Sequence, residues 1–312
     1  MNTKSPLAIE EIVAGLRGAR RYWRDSQQRP RDVGGRELPS QEALASIVDS
    51  LRGALFPMRL GPPDLRQETE DYYVGHTLDN ALGALIGQVR LELGYQQRLA
   101  TADATDPDAH AIEIVRSFGA GLPNLRMLLD SDVLAAFRGD PAARSVDEVL
   151  LCYPGIHAMI HHRIAHQLQL LGVPLIARII AELAHSATGI DIHPSASISP
   201  GFFIDHGTGV VIGETAQIGR NVRLYQAVTL GAKRFETTED GLLQKGAPRH
   251  PIVEDDVVIY AGATILGRVT IGQGSTIGGN VWLTRSVPPG SRITQAQTRI
   301  DEPQPAADPQ ID

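Results

Sequence analysis

The sequence predicts an α+β chain, with an all-helical N-terminal domain followed by a parallel β-helix built of hexapeptide repeats. Apolar residues recur at steps of three and four from Ile9 to about Leu183, which is typical of amphipathic helices. After Gly189 the apolar step becomes six, a period that fits neither a helix nor a simple strand and matches the coils of a parallel β-helix. Glycines and small residues between the apolar positions allow the tight corners that such coils need.

The helical half contains residues that start and stop helices. The stretches "ALASIVDSLRGALF" and "NALGALIGQVRLELG" carry the helical period. Ser40 precedes the first stretch as a candidate N-cap, although Ala43 stands where a complete capping box has Glu. The sequence Gly139-Asp140-Pro141 interrupts the period, and Pro154 is expected to kink or end a helix.

The six-residue step marks thirteen aliphatic positions, and each is expected to point into the coil. An ordinary β-sandwich would alternate by two residues, so this pattern disfavours it. The positions are Ile192, Ile198, Ile204, Ile212, Ile218, Leu224, Leu230, Val253, Ile259, Ile265, Ile271, Ile277 and Leu283.

Two departures from this step mark the places where function is expected, because regular repeats supply the scaffold. Eight residues instead of six separate Ile204 from Ile212, so two residues are inserted within "DHGTGV". Further along, a gap of 23 residues opens after Leu230. Residues 232–250 within that gap are glycine-containing and of mixed charge, which predicts an exposed excursion loop.

Polar side chains gather at both departures. The first holds Asp205 and His206, which the inserted residues are expected to turn out of register toward a cleft, and the second ends in Arg249 and His250. A neutral imidazole can take a proton from a hydroxyl, and a carboxylate on its other nitrogen fixes its orientation. Asp191 lies about one coil before His206, so stacking of coils can supply that carboxylate. Arg249 can hold a substrate carboxylate in a bidentate fork.

The composition indicates the class of protein. At 312 residues we expect a helical domain over 1–188, a β-helix over 189–290 and a disordered tail over 291–312. A formal charge of −7 argues against a nucleic-acid partner or an anionic membrane. The N-terminus lacks a signal-peptide layout and no apolar run is long enough for a membrane span, so a cytoplasmic enzyme is expected. The single Cys152 excludes an internal disulfide and is expected to be a small buried residue rather than a reactive thiol.

The segments "GIDIHPSASISPGFFIDHGTGVVIGETAQIG", "LYQAVTLGA", "RHP" and "VWLTRSVPPG" closely resemble serine O-acetyltransferases, in particular a longer-chain bacterial subgroup. The match runs in unbroken order from about Asp140 to Gly290, and "DHGTGVVIGET" is more selective than the six-residue period that many acyltransferases share. The resemblance implies a left-handed parallel β-helix that assembles as a homotrimer or a dimer of trimers. It also implies transfer of the acetyl group of acetyl-CoA to the hydroxyl of L-serine, which gives O-acetylserine and CoA in cysteine biosynthesis.

The resemblance also implies residue roles. His206 matches the catalytic base and Asp191 the carboxylate that orients it. The remaining matches are Asp140 and Asp205 for the serine ammonium, Arg249 and His250 for the serine carboxylate, and Gly231, Ala232, Ala261 and Gly279 along the CoA groove. Since no cysteine lies near a motif, direct attack of serine on the thioester is favoured over an acyl-enzyme. No metal is expected.

Further partners follow from the same resemblance. L-Cysteine differs from serine by one atom and is expected to be a feedback inhibitor that competes with serine. Many members end in an isoleucine that inserts into cysteine synthase, whereas this chain ends in Asp312, so that complex is not expected in the same form. The loop at 232–250 is longer and more charged than in the best-known members, and Lys233 or Lys245 could contact CoA phosphates.

Several other functions fit the sequence less well. Some β-helix trimers bind a metal through three histidines and hydrate carbon dioxide, and His193, His206 and His250 are candidates by number, but the Arg249 neighbour suits an amino acid better. His162 and His166 have a formal ligand spacing on one helix and are interpreted as packing or surface residues. A non-enzymatic scaffold would not require polar breaks in its repeat. An acyltransferase for homoserine, a sugar or another acceptor is the nearest rival.

Overall fold

The computed structural model describes residues 7–26, 38–99, 106–233 and 246–295. The chain divides into two compact units, Met1–Leu38 and Pro39–Asp312. The first unit contains helix α1 (Ile9–Ser26), in which no residue is buried. None of the helices in the described ranges is long and apolar enough to cross a lipid bilayer.

The second unit begins with a run of helices. These are α2 (Gln41–Leu55), α3 (Pro57–Leu60), a 3-10 turn (Gln67–Thr69), α4 (Glu70–Leu99), α5 (Pro107–Gly139), α6 (Val146–Cys152), α7 (Pro154–Leu170) and α8 (Pro174–Thr188). Ser40 caps α2 as predicted, since its hydroxyl accepts a hydrogen bond from the Ala43 N–H at 3.4 Å. Pro154 separates α6 from α7 and occupies the first turn of α7, where a missing N–H costs nothing.

Short strands follow the helices. They are β1 (Asp191–Ile192), β2 (Ser197–Ile198), β3 (Phe203–Ile204), β4 (Val211–Ile212), β5 (Gln217–Ile218), β6 (Arg223–Leu224), β7 (Thr229–Gly231), β8 (Ile252–Val253), β9 (Val258–Ile259), β10 (Thr264–Leu266), β11 (Thr270–Ile271), β12 (Thr276–Ile277), β13 (Trp282–Leu283) and β14 (Arg292–Ile293). They form three parallel sheets, and each sheet is one face of a left-handed β-helix. Face A contains β1, β4, β7, β10 and β13; face B contains β2, β5, β8 and β11; face C contains β3, β6, β9, β12 and β14.

The interior of the coil is the six-residue repeat. All thirteen predicted inward positions are buried. Stacked positions pair in parallel, as Ile192 does with Ile212. Ile218 pairs with Val253, so the register resumes directly after the 23-residue gap. Parallel pairing one coil apart confirms the period-six prediction and excludes an antiparallel sandwich.

A buried ion pair joins the helices to the first coil. Asp132 on α5 accepts from Arg163 on α7 at 2.6 and 2.8 Å, and the two side chains are 0% and 5% exposed. Arg163 also donates to the Ile198 carbonyl at 3.0 Å, and the Phe202 N–H donates to Asp132 at 3.0 Å. Each charge therefore has partners in an interior from which water is excluded, and the pair fixes α5 and α7 against the coil.

The structure corrects one expectation and extends another. Cys152 is exposed, not buried. Val149 and Leu150 form the buried side of α6, and Cys152 lies about 110° around the helix from that side. The coil continues to β14, beyond the predicted boundary at 290. Residues 234–245 of the predicted loop, with Lys245, and residues 296–312 of the predicted tail lie outside the described residues.

Candidate active site

Two corners of the coil, one at each end of face A, carry the predicted site residues on the β-helix other than Asp191, which begins β1. The corner between faces C and A is named the His206 corner and comprises residues 205–209, with 225–227, 260–262 and 278–280 stacked in later coils. The corner between faces A and B is named the Arg249 corner and comprises residues 193–195, 213–215, 231–233 with 246–250, and 267–268. An extended strand rises about 3.3 Å per residue, so four residues of face A separate the two corners by about 13 Å.

The two inserted residues of the first departure are His206 and Gly207. The Asp205 N–H donates to the Leu224 carbonyl at 2.8 Å, which aligns Asp205 with Tyr225 of the next coil. The Ala227 N–H donates to the Thr208 carbonyl at 2.9 Å, which aligns Thr208 with Gln226. These two partners are consecutive in the next coil, so His206 and Gly207 have no counterpart there. The candidate base is itself part of the insertion.

The insertion forms a tight turn that projects His206 outward. The Gly207 N–H donates to the Asp205 carbonyl at 2.7 Å across His206, and His206 has φ of 60°. A three-residue turn with positive φ at a histidine is strained and persists only where its surroundings hold it. Gly207 is required at its position, because a β-carbon there would lie 2.5 Å from the Ile190 side chain. The His206 side chain is 71% exposed.

An arginine of the next coil holds the Asp205 carboxylate. Its Oδ2 accepts from Arg223 Nη2 at 2.7 Å, and its Oδ1 lies 3.7 Å from His206 Nε2. Arg223 Nη1 donates to the Gly139 carbonyl at 2.6 Å, at the C-terminal end of α5. The arginine therefore links the His206 corner to the helix end that precedes Asp140.

Asp140 also lies at this corner and is oriented by its own partners. Its Oδ2 accepts from the Tyr153 hydroxyl, and its Oδ1 accepts from the Ala142 N–H at 2.8 Å. The Tyr153 hydrogen bond is the main cause that lowers the pKa of Asp140, and the nearby charges of Arg223 and His206 act in the same direction. The same hydrogen bond raises the pKa of Tyr153 to about 12. Two carboxylates of separate elements thus share the corner with the imidazole.

The Arg249 corner collects a second polar group. Arg249 Nη2 donates to Glu214 Oε2 at 2.5 Å, so the guanidinium is already oriented. The Thr215 hydroxyl accepts from the backbone N–H groups of Arg249 and His250 at 2.9 and 3.1 Å, which anchors the end of the excursion loop. Arg249 and His250, which are consecutive in the sequence, both lie at this corner.

The His250 ring is neutral and has a defined tautomer. Its Nδ1 accepts from the Thr215 backbone N–H at 3.0 Å, so the ring proton is on Nε2. Burial lowers the pKa of His250 to about 4. His193 lies nearby, and burial lowers its pKa as well. The corner therefore offers a cationic guanidinium beside a neutral imidazole donor, a combination suited to a carboxylate.

The four positions predicted along the CoA groove are divided between the corners. Gly231 ends β7 and Ala232 follows it in the Arg249 corner, whereas Ala261 and Gly279 stack in the His206 corner. The Asn280 N–H donates to the Ala261 carbonyl at 2.8 Å, and a β-carbon on Gly279 would lie 3.2 Å from that carbonyl oxygen. The predicted serine contacts and the predicted CoA contacts are thus split in the same way.

Asp191 begins β1 and does not reach His206 in a single chain. Among the described residues, no hydrogen bond or ion pair joins the two. Asp191 instead lies with Glu182 and His185 of α8, and one ligand atom of each lies within 4.8 Å of the others. Arg178 pairs with Glu182 at 2.6 Å, which places a positive charge beside this group.

Among the histidines considered as metal ligands, His193 and His250 lie at the Arg249 corner and His206 at the other, so one chain does not bring the three together. In the α7 pair, His162 is buried and His166 Nδ1 donates to the Pro194 carbonyl at 2.7 Å. Packing and backbone contacts thus account for the latter two residues.

Sequence reasoning missed three residues that hold the predicted ones in place: Arg223, Tyr153 and Glu214. Arg223 lies one coil after Phe203, and stacking by coil would have placed a charge beside Asp205. Glu214 stands inside the quoted "GET" segment directly before Thr215. Tyr153 carries no sequence signal, because its contact with Asp140 depends on how α5 and α7 pack.

Comparison with known proteins gives one consistent result. A family model described as bacterial transferase hexapeptide (six repeats) matches residues 250–285. A protein of Synechococcus elongatus named "Serine acetyltransferase, plasmid" is 60% identical over 267 residues, covering 85% of this chain and 84% of the relative. A serine acetyltransferase of Mycobacterium tuberculosis is 48% identical over 52% of this chain and 67% of the relative.

Solved structures agree. Serine acetyltransferase isoform 3 of Entamoeba histolytica, in complex with cysteine, superposes with a TM-score of 0.69 at 33% identity, over 83% of this chain and 84% of that one. The Neisseria gonorrhoeae serine acetyltransferase in complex with serine superposes with a TM-score of 0.53 at 28% identity, over 81% of this chain and 97% of that one.

Proposed function

The chain belongs to the serine acetyltransferase family, and on that premise we propose that His206 is the general base of its reaction. The enzyme transfers the acetyl group of acetyl-CoA to the hydroxyl of L-serine. His206 would remove the hydroxyl proton as the serine oxygen attacks the thioester carbonyl, and would return that proton to the departing CoA sulfur. The observation that carries this proposal is the insertion of His206 and Gly207, which projects an exposed imidazole beside Asp205.

Asp191 is proposed to orient that imidazole in the assembled site. The inserted turn lies directly on the segment that contains Asp191: the Gly209 N–H donates to the Gly189 carbonyl at 2.8 Å, and the Asp191 N–H donates to the Val210 carbonyl at 2.9 Å. The conservative change Asp191→Asn tests this role, because it should lower kcat and leave serine binding intact.

Serine is proposed to bind between two chains of a homotrimer. Its ammonium would contact Asp140 and Asp205, and its carboxylate would contact Arg249 and His250. These pairs lie at opposite corners of face A in one chain, about 13 Å apart by strand length, which exceeds the span of serine. The His206 corner of one chain facing the Arg249 corner of a neighbour would complete the site, and cyclic symmetry would repeat it three times.

The same contact would complete the groove for acetyl-CoA. Gly231 and Ala232 would come from one chain, and Ala261 and Gly279 from its neighbour. Small residues at these positions let a ligand approach the backbone closely. Sedimentation analysis of the full chain distinguishes a trimer from a dimer of trimers.

L-Cysteine is proposed to compete with serine at this site. It carries the same ammonium and carboxylate, and the Entamoeba histolytica relative was solved with cysteine bound. The apparent inhibition constant for cysteine should therefore rise linearly with the serine concentration. Inhibition that is unchanged at saturating serine would place cysteine elsewhere.

The exposed free thiol of Cys152 suits a reducing compartment, and we propose a cytoplasmic location on that ground.

The test of the base is a spectrophotometric assay of CoA thiol release from acetyl-CoA with L-serine, with L-homoserine as the rival acceptor. His206→Ala should lower kcat by about 10²- to 10⁴-fold. His110→Ala, which changes an exposed imidazole on α5, is the matched control and should retain activity. A His206→Ala enzyme within a few-fold of wild type, or equal rates with both acceptors, would contradict the assignment.

A further inference from the structure

We propose that Arg223 is a positioning residue that sets the geometry of the ammonium site by holding both of its carboxylates. This inference rests on the proposed roles of Asp140 and Asp205. Arg223 lies on β6, directly one coil after Phe203, and its guanidinium carbon lies 5.0 Å from the Phe203 ring centre and 4.6 Å from that of Tyr225. The two rings hold the planar group in one orientation.

Each end of that planar group holds a different carboxylate-bearing element. Nη2 donates to Asp205 Oδ2 at 2.7 Å, and Nη1 donates to the Gly139 carbonyl at 2.6 Å. The carbonyl belongs to the last turn of α5, where carbonyls lack intrahelical partners and a positive charge is favourable. Because the guanidinium is rigid, the distance between Asp205 and the end of α5 is fixed.

Asp140 is the residue next to this anchored carbonyl. The end of α5 approaches the coil closely because residue 139 is glycine: a β-carbon there would lie 3.0 Å from the Phe203 ring. Tyr153 and the Ala142 N–H then orient the Asp140 carboxylate. Arg223 occupies Oδ2 of Asp205, so Oδ1 is the oxygen left on the His206 side. The result is two carboxylates of different elements at a set spacing, as an ammonium group requires.

A lysine could not replace this arrangement. Its ammonium is a single point, so it could stay beside Asp205 but would not bridge to the Gly139 carbonyl in the same planar geometry. The inference therefore predicts a specific defect for Arg223 variants. Recognition of the substrate amino group should weaken, whereas recognition of the hydroxyl, the carboxylate and acetyl-CoA should not.

The experiment compares L-serine with 3-hydroxypropanoate, which is serine without its amino group, in the thiol-release assay. Arg223→Met should lower kcat/KM for serine about tenfold or more and change kcat/KM for 3-hydroxypropanoate by less than about twofold. If the analogue turns over too slowly, its inhibition constant against serine replaces kcat/KM. Arg220→Met is the matched control: Arg220 is exposed, and among the described residues its side chain makes no hydrogen bond or ion pair. It should preserve the wild-type preference.

A general loss of structure would lower kcat/KM equally for serine and for 3-hydroxypropanoate. That result would overturn the inference. If Arg223→Met does not fold, Arg223→Lys replaces it in the same comparison, because it keeps a positive charge beside Asp205. A preference of Arg223→Lys for serine over 3-hydroxypropanoate equal to that of the wild type would also overturn the inference. Asp205→Asn tests the proposed ammonium site separately from the role of Arg223. If Asp205→Asn leaves the preference unchanged, the proposed ammonium site is wrong. If Asp205→Asn abolishes the preference and Arg223→Met preserves it, only the role of Arg223 is wrong.

Discussion

The His250 ring lies against the backbone of Gly213, where a β-carbon would be 2.0 Å from Cδ2 and 2.2 Å from Nε2. No side chain can enter that space, so Gly213→Ala must displace the imidazole. We expect the KM for serine to rise about tenfold or more, because His250 would no longer meet the substrate carboxylate. Steady-state kinetics at saturating acetyl-CoA measures this change.

The control for that substitution is Gly87→Ala in α4, where no atom lies within 4 Å of the added β-carbon. It should leave the serine KM unchanged and stabilise the helix by up to about 1 kcal/mol. An unchanged serine KM in Gly213→Ala would show that the position of His250 does not affect serine binding.

Two inactive chains should complement each other if the site is shared. His206→Ala removes the base from one corner, and Arg249→Ala removes the carboxylate contact from the other. When the two are unfolded, mixed in equal amounts and refolded, about one quarter of the interfaces should combine an intact His206 with an intact Arg249. Activity of the mixture should then exceed that of either variant refolded alone. A mixture no more active than its components would place the whole site within one chain.

The buried ion pair at the junction predicts a large stability effect. Asp132→Ala leaves the Arg163 charge in the interior without its carboxylate and should lower the free energy of unfolding by about 3–5 kcal/mol. Asp130→Ala removes a carboxylate from the same helix, but Asp130 pairs with Arg126 at the surface, so about 0–1 kcal/mol is expected. Chemical denaturation at one protein concentration compares the free energies of unfolding of the two variants with that of the wild type. Equal losses would mean that burial does not set the cost.

Acid should destabilise the fold through its buried histidines. Burial lowers the pKa of His161 to about 4, whereas an unfolded histidine titrates near 6.5. Between these values the unfolded chain binds more protons, so stability is complete above about pH 6.5 and is lost as pH falls. His161 alone should contribute a loss of about 1 kcal/mol between pH 6.5 and 5.5.

Buried carboxyl groups act in the opposite direction, since burial raises the pKa of Glu92. The measurement is therefore the difference in pH dependence between wild type and His161→Gln, by urea unfolding at pH 7.5 and 5.5. The variant should lose less stability on acidification. Identical slopes for the two proteins would remove His161 as a cause.

The repeat could be predicted from the sequence because its inward positions depend only on local spacing. The six-residue step placed Ile192 above Ile212 without any knowledge of tertiary contacts. The same counting located the insertion between Ile204 and Ile212, although only backbone hydrogen bonds identify the surplus pair as His206 and Gly207.

Contacts between separate elements could not be predicted in this way. Tyr153 meets Asp140 because α7 packs beside the end of α5, and Arg223 reaches Gly139 because the helices lie against face C. Neither relation leaves a period in the sequence. Cys152 was misplaced for a similar reason, because its exposure depends on which side of α6 faces the other helices.

The surplus pair His206–Gly207 separates the chemistry of this protein from its architecture. The next coil turns the same corner without a counterpart to these two residues. Asp205 aligns with Tyr225 and Thr208 aligns with Gln226, so the backbone pairing resumes directly after the insertion. Insertion or deletion of these two residues would therefore add or remove the reactive histidine and leave the coils of the β-helix intact. A β-helix with the histidine and one without it differ by only two residues at this corner.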